Sequence, residues 1–206
     1  MVCAYNDASN IPARSGYSGA ETADAMLRSH GVDRVRIEPV EGFLSDHYVP
    51  GEKILRLSPE VYGGRSLAAL GIAAHEAGHA VQDATRYPLM GLRNALVPMA
   101  SLGSGAAWII IALGFAMHLM GLIVAGIVVF SATVLFQLVN LPVEFDASRR
   151  ARLALVESGL VAPDEEVVVA RVLNAAALTY VAATLTAVLT LLYFLFRAGL
   201  LGGRRD

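Results

Sequence analysis

His75 and His79 stand four positions apart, with Glu76 directly after the first, in the run His75-Glu76-Ala77-Gly78-His79. On a helix that spacing projects both imidazoles from one face, where they can share one small cation. Zinc accepts imidazole nitrogens at about 2.0–2.1 Å, takes a third protein ligand and keeps a fourth position for water. Glu76 follows about 100° round the helix from His75, so it can reach that water without binding the metal. A carboxylate there can take the water's proton and later deliver it to a leaving amine, which is peptide hydrolysis. Ala77 and Gly78 keep the flank free of bulk, so that a substrate or another helix can come close. Apart from Glu76 no charge interrupts residues 67–82, so the motif helix is expected to be buried. The plain alternative is a buried helix with two hydrogen-bonded histidines and a glutamate that does no chemistry.

A third histidine six residues after the second is absent, since position 82 is Gln and position 85 is Thr. The third ligand must come from farther away, and Glu144 is the choice, in Leu141-Pro142-Val143-Glu144-Phe145-Asp146-Ala147-Ser148. Asp83, on the same stripe as His75 and His79, is the main competitor. Three ligands in line along one straight helix do not converge on a tetrahedral ion, so Asp83 is better placed to support a ligand or end the helix. Asp146 faces away from Glu144 and is a second candidate for such support. The plain reading of Glu144 is a carboxylate favouring a helix N-terminus. His47 and Tyr48, with Asp46, lie in an extended segment ahead of the motif, where they can bind substrate or donate to a tetrahedral oxyanion. The plain reading of His47 is a hairpin-edge histidine. His30, at a helix end, and His118, at an expected membrane turn, read as structural.

The elements that must position these residues have clear punctuation. Residues 16–31 form a helix with Ser18 and Glu21 as a capping box and Gly31 as its stop. Residues 34–38 alternate apolar and charged, and 43–49 and 53–57 flank the turn Pro50-Gly51, which together suggest a small antiparallel sheet. Ser58-Pro59 starts a short helical turn, Ser66 caps the motif helix from 67 to about 83, and Pro88 restarts a segment to about 100. Residues 105–141 contain no Asp, Glu, Lys or Arg. A single crossing needs about 20 residues, so two crossings joined at 118–121 fit this stretch better than one span plus a buried half-helix. Pro142 opens a polar helix, 143–157, ended by Gly159, and Pro163 starts another that runs on into the uncharged residues 175–196.

Hydrophobic residues make up 55% of the 206, and the excess is concentrated in those apolar stretches. The fold class is therefore a mainly α membrane protein with a small β element. Its expected parts are a zincin-like peptidase domain (1–100), a transmembrane hairpin (101–141), a helical segment completing the metal site (142–174), a C-terminal transmembrane helix (175–197) and a tail (198–206). A net charge of -2, with no basic run interleaved with aromatics, excludes a nucleic-acid partner. Cys3 is the single cysteine, so no internal disulfide framework exists. The first ten residues lack the basic start and apolar core of a signal peptide. Partners reduce to a protein or peptide substrate and the lipid bilayer, and no oligomeric interface is legible. Arg86 and Arg93 before the hairpin and Arg149, Arg150 and Arg152 after it, with none at its turn, place the site on the cytoplasmic side. The final span would then put Arg197, Arg204 and Arg205 outside.

Several separate motifs carry a family resemblance over residues 5–196. They are Gly42-Phe-Leu-Ser-Asp-His-Tyr48, Ala74-His-Glu-Ala-Gly-His-Ala-Val-Gln-Asp83, Leu141-Pro-Val-Glu-Phe-Asp-Ala-Ser-Arg-Arg150 and Leu173-Asn-Ala-Ala-Ala-Leu-Thr-Tyr-Val-Ala182. In these the chain resembles the YugP-like neutral zinc metallopeptidases of bacterial membranes. The resemblance implies a zinc peptidase with His75 and His79 as ligands and Glu76 as catalytic base. More distantly, the Glu144 segment is similar to the third-ligand helix of HtpX-type membrane metalloproteases. There an aspartate follows the glutamate by four residues, and here that position is Ser148. Family members usually begin with an additional membrane helix, and this sequence starts just after where it would end. The reading is a gluzincin-type site with one catalytic zinc. Chemistry inside the bilayer is disfavoured, because the apolar part of the motif helix is too short to span. A non-proteolytic membrane scaffold or zinc-binding adaptor remains as the rival, against which the presence of Glu76 speaks.

Overall fold

In the computed structural model, which describes residues 2–201, the chain forms seven helices and three strands among those residues. In chain order they are α1 (Val2–Ser9), α2 (Gly19–Ser29), β1 (Arg36–Pro39), β2 (His47–Val49), β3 (Ile54–Leu57), α3 (Pro59–Tyr62), α4 (Leu67–Ala84), α5 (Pro88–Ala116), α6 (Met120–Glu157) and α7 (Pro163–Arg197). Arg204 and Arg205, which enter the sidedness argument, lie outside the described residues. Two compact units divide the chain: Met1–Tyr87 with Glu144–Thr179, and Pro88–Val143 with Tyr180–Asp206.

In the first unit, local chemistry sets the helix ends. The Glu21 side chain accepts from the Ser18 N–H at 2.7 Å, and Ser18 Oγ accepts from the Glu21 N–H at 3.2 Å. Ser66 Oγ accepts from the Ala69 N–H at 3.2 Å and so starts α4. The α2 helix packs along α4, burying Ala23, Met26 and Leu27. The α1 helix has no counterpart in the sequence reading, because it buries only Tyr5 and Ala8 and so shows little apolar periodicity.

The sheet has the order β1-β3-β2. β2 runs antiparallel to β3, but β1 runs parallel to it, which corrects the expectation of a wholly antiparallel sheet. Chain reversals on either side of β2 restore the direction of β1 in β3. β3, whose Ile54, Leu55 and Leu57 are buried, takes the centre, and β1, with exposed ends, takes an edge.

The second unit is built from α5, the apolar part of α6 and the end of α7. Residues 117–119 join α5 to α6, with His118 at φ 55°. A Cβ at Gly114 would lie 2.8 Å from the Ile123 nitrogen, so only glycine lets the two helices approach this closely at the turn. Ile111, Ile123, Ile127, Phe194 and Ala198 form one core cluster. By length and composition α6 and α7 can each cross a membrane, and α5 makes a third crossing if its two halves, bent by 45°, form one span. Pro142 does not open a new helix, because α6 runs through it unbroken. Proline costs the ladder one N–H and crowds the carbonyl four residues back. In apolar helices neighbouring turns and packing make good that loss.

Candidate metal centre

The α4 helix is almost wholly buried, and His75 and His79 leave it on one face, with ring centroids 4.8 Å apart. The close approach of α6 supplies the third group. A Cβ on Gly78 would lie 2.8 Å from the Ala147 carbonyl oxygen and 3.3 Å from its Cα, so the α6 backbone rests directly on this glycine. One turn earlier on α6, Glu144 is 2% exposed and aimed at the imidazoles. Its Oε2 is 3.2 Å from His75 Nε2 and 3.6 Å from His79 Nε2. The three ligand atoms all lie within 4.8 Å of one another.

This donor set fits zinc. A tetrahedral ion with bonds of about 2.0–2.1 Å sets neighbouring ligand atoms about 3.3–3.4 Å apart. The two separations to Glu144 Oε2, 3.2 and 3.6 Å, bracket that value. Two imidazoles and one carboxylate also leave a tetrahedral ion one open position. Glu76 follows His75 on α4 and is half-buried, and it is not one of the three converging groups.

The outer nitrogens of both rings are occupied. His79 Nδ1 is 3.0 Å from Gln82 Oε1, and Gln82 Nε2 donates to Asp146 Oδ2 at 3.0 Å. Asp146 also accepts from Arg149 Nη2 at 2.6 Å and Arg150 Nε at 2.5 Å. His75 Nδ1 lies 3.1 Å from Ser148 Oγ. Thus Ser148 meets His75 directly, and Asp146 reaches His79 only through Gln82. Sequence reasoning missed Gln82, and it named Ser148 only as a departure from an aspartate, without a contact to His75. The available signal was spacing, since Gln82 stands three residues after His79 and Ser148 four after Glu144.

The remaining candidates meet other partners. Tyr48 donates its hydroxyl to Asp83 Oδ2 at 2.7 Å, and Lys53 pairs with the same carboxylate, so the three tie β2 to the end of α4. Burial, followed by the Asp83 carboxylate, holds the Tyr48 phenol well above its ordinary range. His47 Nδ1 donates to the Ser45 carbonyl at 2.7 Å. Its Nε2 therefore offers a hydrogen to an oxyanion only in the doubly protonated ring. Asp46 accepts from Ser58 N at 2.8 Å and Ser58 Oγ at 3.1 Å, and burial pushes its carboxyl up against the effect of those bonds. His30 Nδ1 meets the Met26 carbonyl at 2.9 Å and closes α2.

Two imidazoles, a buried carboxylate and a neighbouring glutamate are the parts of a metallopeptidase centre, here set in a chain with helices fit to cross a membrane. The chain belongs to the family described as "Putative neutral zinc metallopeptidase", whose model matches residues 2–199. It is 46% identical over 186 residues to "Putative membrane protease YugP" of Bacillus subtilis (strain 168), a match covering 90% of this chain and 83% of that relative. No solved structure matches.

Proposed function

We propose that this protein is a membrane-embedded metallopeptidase of the gluzincin type, with one zinc ion held by His75, His79 and Glu144 and with Glu76 as general base. The observation that supports it best is the convergence of both Nε2 atoms on one buried Glu144 oxygen. Bound there, zinc supplies Lewis-acid polarisation of a water and of the scissile carbonyl. His75 and His79 serve as neutral ligands, and Glu144 contributes one negative charge in a site shielded from solvent. Glu76 takes a proton from the attacking water and passes it to the amine nitrogen as the C–N bond breaks. Among the described residues β2 is an edge strand, paired only with β3, and such an edge can align an extended peptide as an added strand.

In protein purified from membranes, cleavage of a quenched peptide library is expected to stop in 1,10-phenanthroline and return with equimolar zinc. Activity is also expected to fall in acid, as protons displace metal from the imidazoles. Hydrolysis that persists in the chelator would sink the metal mechanism.

The protein is further proposed to be multi-pass, with the site on the cytoplasmic side. The support is the cluster Arg86, Arg93, Arg149, Arg150 and Arg152 flanking the uncharged stretch, against a turn without basic residues. Single cysteines replacing Ala84, Met120 and Ser158, all exposed, in a Cys3→Ser background test this with an impermeant thiol reagent on intact cells. Only the Met120 position is expected to react. Labelling of Ala84 and Ser158 from opposite sides is incompatible with a ligand set drawn from α4 and α6.

A further inference from the structure

An imidazole binds metal through an unprotonated nitrogen, and the hydrogen bond made by its other nitrogen decides which one that is. A glutamine cannot make that choice unaided, because its amide presents either an acceptor oxygen or a donor NH2 group. Gln82 is fully buried, so its orientation is set by its protein neighbours rather than by solvent. Asp146 is the neighbour that sets it. Arg149 and Arg150 both donate to this carboxylate, which keeps it charged and therefore an acceptor only. The end of Gln82 that faces Asp146 at 3.0 Å must then be the NH2 group. Oε1 is left facing His79 Nδ1 at 3.0 Å, and it can only accept. Nδ1 must carry the hydrogen, which in the neutral ring leaves the lone pair on Nε2, the atom that faces Glu144.

We propose that Gln82, held in one orientation by Asp146, is a positioning residue that locks His79 in the tautomer able to bind zinc through Nε2. The proposal rests on the metal-centre reading above. His75 has no equivalent lock. Its outer nitrogen meets the Ser148 hydroxyl, which both donates and accepts, so that contact does not choose between the tautomers. The two histidines of one motif are thus prepared differently, His79 before the metal arrives and His75 by the metal itself.

Two measurements on the full chain in detergent test this. The first is the 15N spectrum of the histidine rings in metal-free wild type, with the His79 signals assigned by their loss in His79→Asn. The expected result is hydrogen on Nδ1 of His79, and a ring with hydrogen on Nε2 and none on Nδ1 overturns the proposal. The second is zinc affinity by competition with a chromophoric chelator. Gln82→Met, similar in length but without the amide, is expected to bind zinc about 10–100-fold more weakly, the usual effect of losing such an outer partner. Wild-type affinity in a Gln82→Met protein with unchanged far-ultraviolet circular dichroism overturns the proposal. If that variant does not fold, the wild-type ring spectrum still decides. A wild type that binds no zinc refutes the metal centre, whereas a wild type that binds zinc with His79 in the other tautomer refutes only the role of Gln82.

Discussion

Glu76→Gln is expected to lower peptide hydrolysis by about 10²–10⁴-fold, the range that a positioned general base contributes, and to leave one zinc per chain. Glutamine keeps the size and half-buried place of the glutamate on α4 but cannot accept a proton from water. The three ligand atoms that converge are on His75, His79 and Glu144, so the metal loses nothing. The loss is therefore expected in kcat, with KM little changed, and metal analysis of the purified variant is expected to match wild type. Wild-type turnover would remove Glu76 from the mechanism, and loss of zinc would make it a ligand. The same variant separates the rival class. A scaffold or adaptor that holds zinc for structure has no turnover to lose, and native membranes would accumulate no uncleaved substrate when Glu76 is replaced.

What the sequence made legible was what local chemistry controls. Ser18 with Glu21 and Ser66 ahead of an uncharged run mark helix starts by hydrogen bonds within four residues, and α2 and α4 begin there. The meeting of Glu144 with the two histidines could be anticipated because helix geometry forbids Asp83 from joining them on one ion. The parallel placement of β1 could not, since nothing within residues 36–39 records which edge of β3 it will take. Pro142 misleads for a related reason. Its local preference is to break a helix, yet α6 runs through it unbroken. The roles of Gln82 and Ser148 escaped notice because an uncharged side chain near a metal motif carries no signal of its own. Their meaning depends on which ring nitrogen each one faces, and only the tertiary arrangement gives that.

Glu144→Ala is expected to weaken zinc binding by more than the 10–100-fold typical of losing an outer partner, and to abolish hydrolysis with it. Glu144 Oε2 faces both Nε2 atoms, so its removal leaves two imidazoles on one helix and no anion to complete the set. Alanine is small, and the space it leaves can admit water, which cannot replace the lost negative charge. Gly78→Val tests the same geometry without touching a ligand. A Cβ at that position would already lie 2.8 Å from the Ala147 carbonyl oxygen, and valine adds two more methyl groups. The α6 helix has to move away from α4, and it carries Glu144 off the histidines while the carboxylate stays in the sequence. Both variants are therefore expected to show low zinc content after dialysis and weak affinity in chelator competition, with Glu76→Gln as the full-occupancy control. Full zinc occupancy in Glu144→Ala would send the search for the third ligand elsewhere. Full occupancy in Gly78→Val alone would mean that the carboxylate reaches the metal without the close packing of α6 on α4.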